Sequence, residues 1–111
     1  MFIILGVLPF MKTDGITLYP FIFVRKKNLL ENKRLMNHER IHVKQELELL
    51  ILPFYVLYVF NYIINLIIYQ NHKKAYLNII FEREAYQNDF DMNYLNNRKW
   101  FSSFNYFKKF L

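Results

Sequence analysis

Hydrophobic and polar positions change their rhythm several times along the chain. Residues 16–24, ITLYPFIFV, are β-branched and aromatic and follow the turn pair Asp14-Gly15, which predicts a strand. Pro20 has no backbone donor, so this is an edge strand or two short ones. The preceding stretch MFIILGVLPFM is apolar but carries no basic leader and no A-x-A-like cleavage site. It reads as a buried strand or a membrane-surface anchor rather than a cleaved signal peptide, and it is too short to span a bilayer. After Arg25-Lys26-Lys27 the period changes to that of a helix, predicted over 28–52 and capped by Asn28 or Asn32. On it, Leu35, His38, Glu39, His42, Glu46 and Leu49 share one face. Ile41, Leu47 and Leu50, with Val43 nearby, make up the apolar remainder.

From Leu49 to Tyr69 no residue is charged. The length alone permits a transmembrane helix, but Pro53 near its start predicts a kink or a hairpin, and Asn61 and Asn65 interrupt the apolar surface. The apolar helix is therefore placed over 53–70. Being apolar on every side, it must lie at the centre of a bundle or face lipid. After the polar break at Asn71-His72-Lys73-Lys74 another helix is expected over 73–97, carrying Glu82, Arg83, Glu84 and Tyr86. His72 reads as a polar turn residue. In the tail, 98–111, Trp100, Phe104, Phe107 and Leu111 fall on one side of a helix and Arg98, Ser102, Asn105 and Lys109 on the other, the pattern of an interfacial segment. The expected fold is mainly α (α+β): short N-terminal strands over 1–27, then a three-to-four-helix bundle, all in one domain of 111 residues.

Composition narrows the function. A net charge of +6 suits nucleic acid or an anionic membrane surface. The basic residues are dispersed among long apolar runs and no recognition motif appears, which favours the membrane over nucleic acid. There are no cysteines, so a tightly held transition metal must use histidine and carboxylate. Two glycines, Gly6 and Gly15, form no phosphate loop.

The chemistry lies in His38-Glu39-Arg40-Ile41-His42. Histidines four apart project from one helix face one turn apart, so their ring nitrogens can meet one zinc ion. The glutamate after the first histidine lies beside the metal, placed to take a proton from water and deliver it to a leaving amine. Shuffling this composition yields about 0.003 expected copies of H-E-x-x-H. A catalytic zinc takes three protein ligands. Glu46, one turn past His42, cannot complete a tetrahedron from the same straight helix and suits a supporting role beside a ligand. The later helix, with F-E-R-E-A-Y, supplies the remaining candidates.

HExxH on one helix followed by E-x-x-A on a later one resembles the gluzincin metallopeptidases. The layout is similar to that of the membrane-embedded heat-shock and CAAX-prenyl proteases, the BlaR-type sensor peptidases, and small bacterial proteins built around one HExxH helix. The specific likeness covers roughly residues 34–46 and 81–86. It implies a minimal zincin-like core, a Zn2+ cofactor held by His38, His42 and Glu82, Glu39 as general base and then acid, and hydrolysis of a peptide or protein substrate. It also implies an edge strand within 16–24 on which substrate adds as a further strand. The family's aspartate four residues after its ligand glutamate is replaced here by Tyr86. Glu84 either compensates for that loss or is itself the ligand. Tyr19, Tyr76, Tyr86 and Tyr94 are the hydroxyls available to stabilise an oxyanion.

The zinc reading constrains the fold. A straight helix through 33–70 would leave His42 and Glu82 displaced by roughly 30 Å along the axis. A turn near Pro53 sends the next helix back by roughly 24 Å, and a reversal of roughly 12 Å returns Glu82 to His42. The expectation is a membrane-associated zinc metallopeptidase, an endopeptidase in kind, with the bacterial inner membrane ahead of the cytoplasm as its location. A catalytically inactive metal-binding protein or a purely structural membrane protein is the alternative.

Overall fold

The computed structural model describes residues 3–110, with side chains as far as Phe107. Met1, Phe2 and Leu111, the last assigned above to the tail's apolar side, lie outside the described residues. The chain is mainly helical, with a small three-stranded sheet at the N-terminal end.

Strands β1 (Ile4–Val7), β2 (Gly15–Leu18) and β3 (Phe21–Val24) lie in the order β1-β3-β2. β3 pairs in parallel with β1 and antiparallel with β2, Thr17 opposite Ile22. The run 16–24 is thus two short strands, divided at Tyr19-Pro20, whose peptide bond is cis. The pleat turns Ile22 and Val24 inward, both fully buried, where they meet Met36 and Val43. Each such aliphatic side chain contributes about 1.5–3 kcal/mol on burial. β1 is a strand, as expected, but not a buried one: Ile4, Leu5 and Val7 are all exposed, because β1 is an edge and the helices cover only the other end of the sheet.

The HExxH helix α1 spans Lys33–Glu48, capped by the Asn32 side chain, which accepts from the Leu35 N–H. Residues Lys27–Glu31 form a 3-10 turn ahead of it, so Asn32 and not Asn28 is the cap. α1 ends well before Pro53. Leu50 and Ile51 both adopt φ 61°, which breaks the ladder, and α2 begins at Leu52 with Pro53 in its first turn, where its missing N–H costs nothing. The chain turns there as the zinc geometry requires. α2 (Leu52–Tyr69) then runs back, and a left-handed Gln70 reverses it into α3 (His72–Leu77) and α4 (Ile80–Asn88). Asn61 accepts from the Ile80 N–H and Asn65 donates to the Ala75 carbonyl, so the two amides that interrupt the apolar run tie α2 to the returning chain. His72 opens α3 and bonds Tyr62, away from the HExxH face.

The helix expected over 73–97 is three pieces, α3, α4 and α5 (Tyr94–Asn97). Asn78 and Asn88, whose side-chain amides donate to the carbonyls of Lys74 and Glu84, stand at the breaks. The tail, Ser102–Phe110, is a 3-10 helix. A second core of Phe54, Ile79, Ile80 and Phe81 lies under α2 and α4. α2 itself is not central. It buries Phe54, Asn61 and Asn65, while Leu52, Val56, Val59, Phe60, Ile67 and Ile68 are more than half exposed.

Candidate metal centre

The site lies between the two cores, where α1 faces α4. His38 and His42, one turn apart on α1, meet Glu82 from the first turn of α4. His42 Nε2 is 3.2 Å from His38 Nε2 and 3.0 Å from Glu82 Oε1, and His38 Nε2 is 3.3 Å from the same oxygen. All three side chains are buried.

Each partner on the far side of these groups fixes which atom points inward. His38 Nδ1 lies 2.9 Å from Asp89 Oδ2, and a carboxylate only accepts, so the ring donates from Nδ1 and offers the Nε2 lone pair. His42 Nδ1 lies 2.8 Å from Gln45 Oε1, a carbonyl-type acceptor, with the same consequence. Tyr58 donates to Glu82 Oε2 at 2.6 Å, leaving Oε1 to face the histidines. Three electron-pair donors therefore converge on one point out of water. Such a cluster demands a cation, either a proton or a metal. Burial opposes charge on His42, but the Glu82 carboxylate outweighs it and lifts the His42 pKa to about 10. Glu82 is driven the other way, well below the usual carboxylate range: burial works against its charge, and the two histidines overcome it.

The donor set, two imidazoles and a carboxylate with every back side anchored, fits zinc. His38, Glu39, His42 and Glu82 are brought together as the sequence led one to expect. Glu39 is buried beside the histidines, its Oε1 receiving the Thr17 hydroxyl at 2.8 Å. Gly15 lets β2 approach this closely: a Cβ there would stand 3.2 Å from Glu39 Oε2.

Other expectations are corrected. Glu84 is neither a ligand nor a replacement for the missing aspartate. It faces the opposite side of α4, bonded to Arg98, Ser103 and Tyr94. Glu46 touches no ligand and instead accepts from the Tyr19 N–H and the Tyr55 hydroxyl. Of the four tyrosines, Tyr76 lines the cleft and bonds Tyr86 at 3.3 Å. Tyr94 serves Glu84, and Tyr19 packs on the sheet core.

The carboxylate that holds His38 Nδ1 is Asp89, a residue the motif spacing did not single out. It lies two turns from Glu82 rather than one, at the end of α4, and is itself held by Arg34 at 2.6 Å. The heptad spacing Glu82–Asp89 was the available signal. Tyr86, at the aspartate's usual place, packs its ring against His38 with centroids 4.4 Å apart. If the three groups hold a metal, Asp89→Asn is expected to weaken its affinity about 10–100-fold with little change in fold, read by competition with a chromogenic chelator.

A cleft of about 330 Å³ opens over His38, His42 and Glu82, with Thr17, Glu46 and Tyr55 among its lining. A wider one of about 740 Å³ shares His38 and Glu39 and extends past Lys12, Arg34 and Lys73. No family model matches the chain, and neither a curated protein nor a solved structure matches it.

Proposed function

We propose that the protein is a zinc metallopeptidase that works at a membrane surface. The observation that carries the reading is the convergence of His38 Nε2, His42 Nε2 and Glu82 Oε1, all within 4.8 Å of one another, with Glu39 buried beside them. When bound, zinc would polarise the scissile carbonyl and bring the pKa of water towards neutrality. The chain's own groups do the rest. Glu39 accepts a proton from the attacking water and passes it to the departing amine. Thr17 steers Glu39 through the hydrogen bond to Oε1. Of the tyrosines that line the cleft, Tyr55 and Tyr58 are committed to carboxylates, and Tyr76 is the one whose hydroxyl could turn to donate to a developing oxyanion. Hydrolysis adds the hydroxyl of water to the carbonyl carbon, breaks the C–N bond and leaves a free amine. Purified protein is expected to hold about one zinc per chain, and His42→Ala and Glu82→Ala to hold none, by elemental mass spectrometry. Wild-type protein that stays metal-free in zinc-supplemented buffer would sink the reading.

The membrane part rests on α2. Its polar and aromatic residues Tyr55, Tyr58, Asn61 and Asn65 face the protein, and its aliphatic ones face out. That is the reverse of a water-facing helix. Among the described residues it is the one helix long and apolar enough to cross a bilayer, and only 17% of it is buried. The tail follows the same rule, with Ser102 and Ser103 inside and Trp100, Phe104 and Phe107 exposed. An outward apolar surface of this extent needs a non-aqueous partner, and the positive charge suits anionic lipid. The double variant Val56→Glu/Ile67→Glu, both sites exposed, should shift the protein from floating with anionic liposomes to the soluble fraction, without altering zinc content.

A further inference from the structure

β2 is an edge strand, and the way its free edge is blocked at one end points to the kind of peptide the cleft takes. Antiparallel pairing alternates the backbone groups of successive residues between the two edges. Thr17 and Tyr19 present theirs away from β3, since the Thr17 carbonyl accepts the Tyr55 hydroxyl at 2.8 Å and the Tyr19 N–H donates to Glu46 Oε1 at 3.0 Å. A peptide adding to β2 can therefore pair no further along than Thr17. Beyond it, Tyr55 and Glu46 stand across the edge, bonded to each other at 3.0 Å.

Glu46 is 1% exposed, and its second oxygen, Oε2, is buried without a hydrogen-bond partner among the described residues. A buried carboxylate oxygen left unpaired is costly unless a donor meets it in function. Glu46 lines the same small cleft as the three ligands and sits one turn, about 6 Å, past His42. That span leaves room for one residue, because the α-nitrogen lies about 2.5 Å from its own carbonyl carbon and its hydrogen bond to a carboxylate adds about 2.8 Å. A carboxylate selects an ammonium and repels a carboxylate, so the chain end that fits here is the amino end. A peptide so placed runs antiparallel to β2. Its length continues past Gly15 into the wider cleft of about 740 Å³, where Lys12, Arg34 and Lys73 line the walls.

We propose that Glu46, with Tyr55 closing the edge behind it, binds the free α-ammonium of the substrate, so that the protein trims peptides from their amino end. Ile16, Phe54 and Val59, which line the same small cleft as Glu46, would receive an apolar first side chain. The inference rests on the metallopeptidase reading and adds to it a substrate class.

The test uses zinc-loaded, full-length protein and two probes, leucine hydroxamate and N-acetyl-leucine hydroxamate, titrated by calorimetry. Both carry the same metal-binding group, and only the first has a free ammonium. The free amine should bind about 10- to 100-fold tighter. Glu46→Gln keeps an oxygen for Tyr19 and Tyr55 but loses the charge, so it should erase that advantage while zinc content stays the same. Equal binding of the two probes to wild type, or an advantage that survives Glu46→Gln, overturns the proposal and leaves the metal site standing. Protein that takes up no zinc and binds neither probe overturns both readings together.

Discussion

Zinc-loaded Glu39→Gln should keep its metal and lose about 10²–10⁴-fold in peptide hydrolysis, the usual worth of a positioned general base. Glutamine has nearly the same shape and can still accept the Thr17 hydroxyl that reaches Glu39 Oε1, so the cleft should keep its form. What disappears is the ability to hold a proton between the attack of water and the departure of the amine. The ligands His38, His42 and Glu82 do not depend on Glu39 for their orientation. Their back sides are held by Asp89, Gln45 and Tyr58. Metal content and activity therefore separate in this variant, whereas they fall together in His42→Ala. A turnover assay against a peptide mixture, paired with elemental analysis of the same sample, reads both. Full activity in Glu39→Gln would remove Glu39 from the chemistry.

The separation also bears on what the sequence alone made legible. The HExxH face and the turn before Pro53 were readable because each follows from helical spacing and chain reach, which are local or nearly so; Glu82 over Glu84 came only from the resemblance to the gluzincins. Asp89 was not, because it lies two turns past Glu82 and only the packing of α4 against α1 shows that it reaches His38 Nδ1. Glu84 stayed open as an alternative for the complementary reason. Two glutamates two residues apart face opposite sides of a helix, and nothing in F-E-R-E-A-Y says which side looks at α1. The break of the expected 73–97 helix into three pieces was legible only in hindsight, in Asn78 and the Asn88-Asp89 pair. The apolar run 53–70 left two outcomes open, central or lipid-facing. The outward turn of its aliphatic residues decides against the central one, since Asn61 and Asn65 take the inner side to bond the returning backbone.

The largest expected loss of stability comes from Arg98, which the sequence placed merely on the polar side of the tail. Its guanidinium is 1% exposed and joins two buried carboxylates, Glu84 and Glu48. It grips Glu48 with two nitrogens at 2.6 and 2.9 Å. Ser103 and Tyr94 also donate to Glu84, and the Phe101 N–H donates to Glu48. Arg98→Met would leave both carboxylates buried without a cation, at a cost of about 3–5 kcal/mol. In a domain of this size that lowers the midpoint of thermal unfolding by more than about 10 °C. Arg98→Lys should lose less, because one ammonium keeps the charge but cannot fork to both partners. The pH dependence should invert between wild type and Arg98→Met. Burial works to raise the Glu84 pKa, but Arg98 and the hydroxyl donors outweigh it and hold the carboxyl below the usual range. In wild type the cluster's stabilisation is therefore present above the unfolded value of 4.5 and is lost as pH falls through the folded one. Without the guanidinium, burial prevails and pushes the same carboxyl up, so mild acidification of Arg98→Met should restore stability. The change should also be felt at the metal. Gln45 donates to Glu84 Oε1 at 2.9 Å while accepting the His42 Nδ1–H. Loosening Glu84 frees the amide that orients His42, and zinc affinity should fall along with the melting temperature.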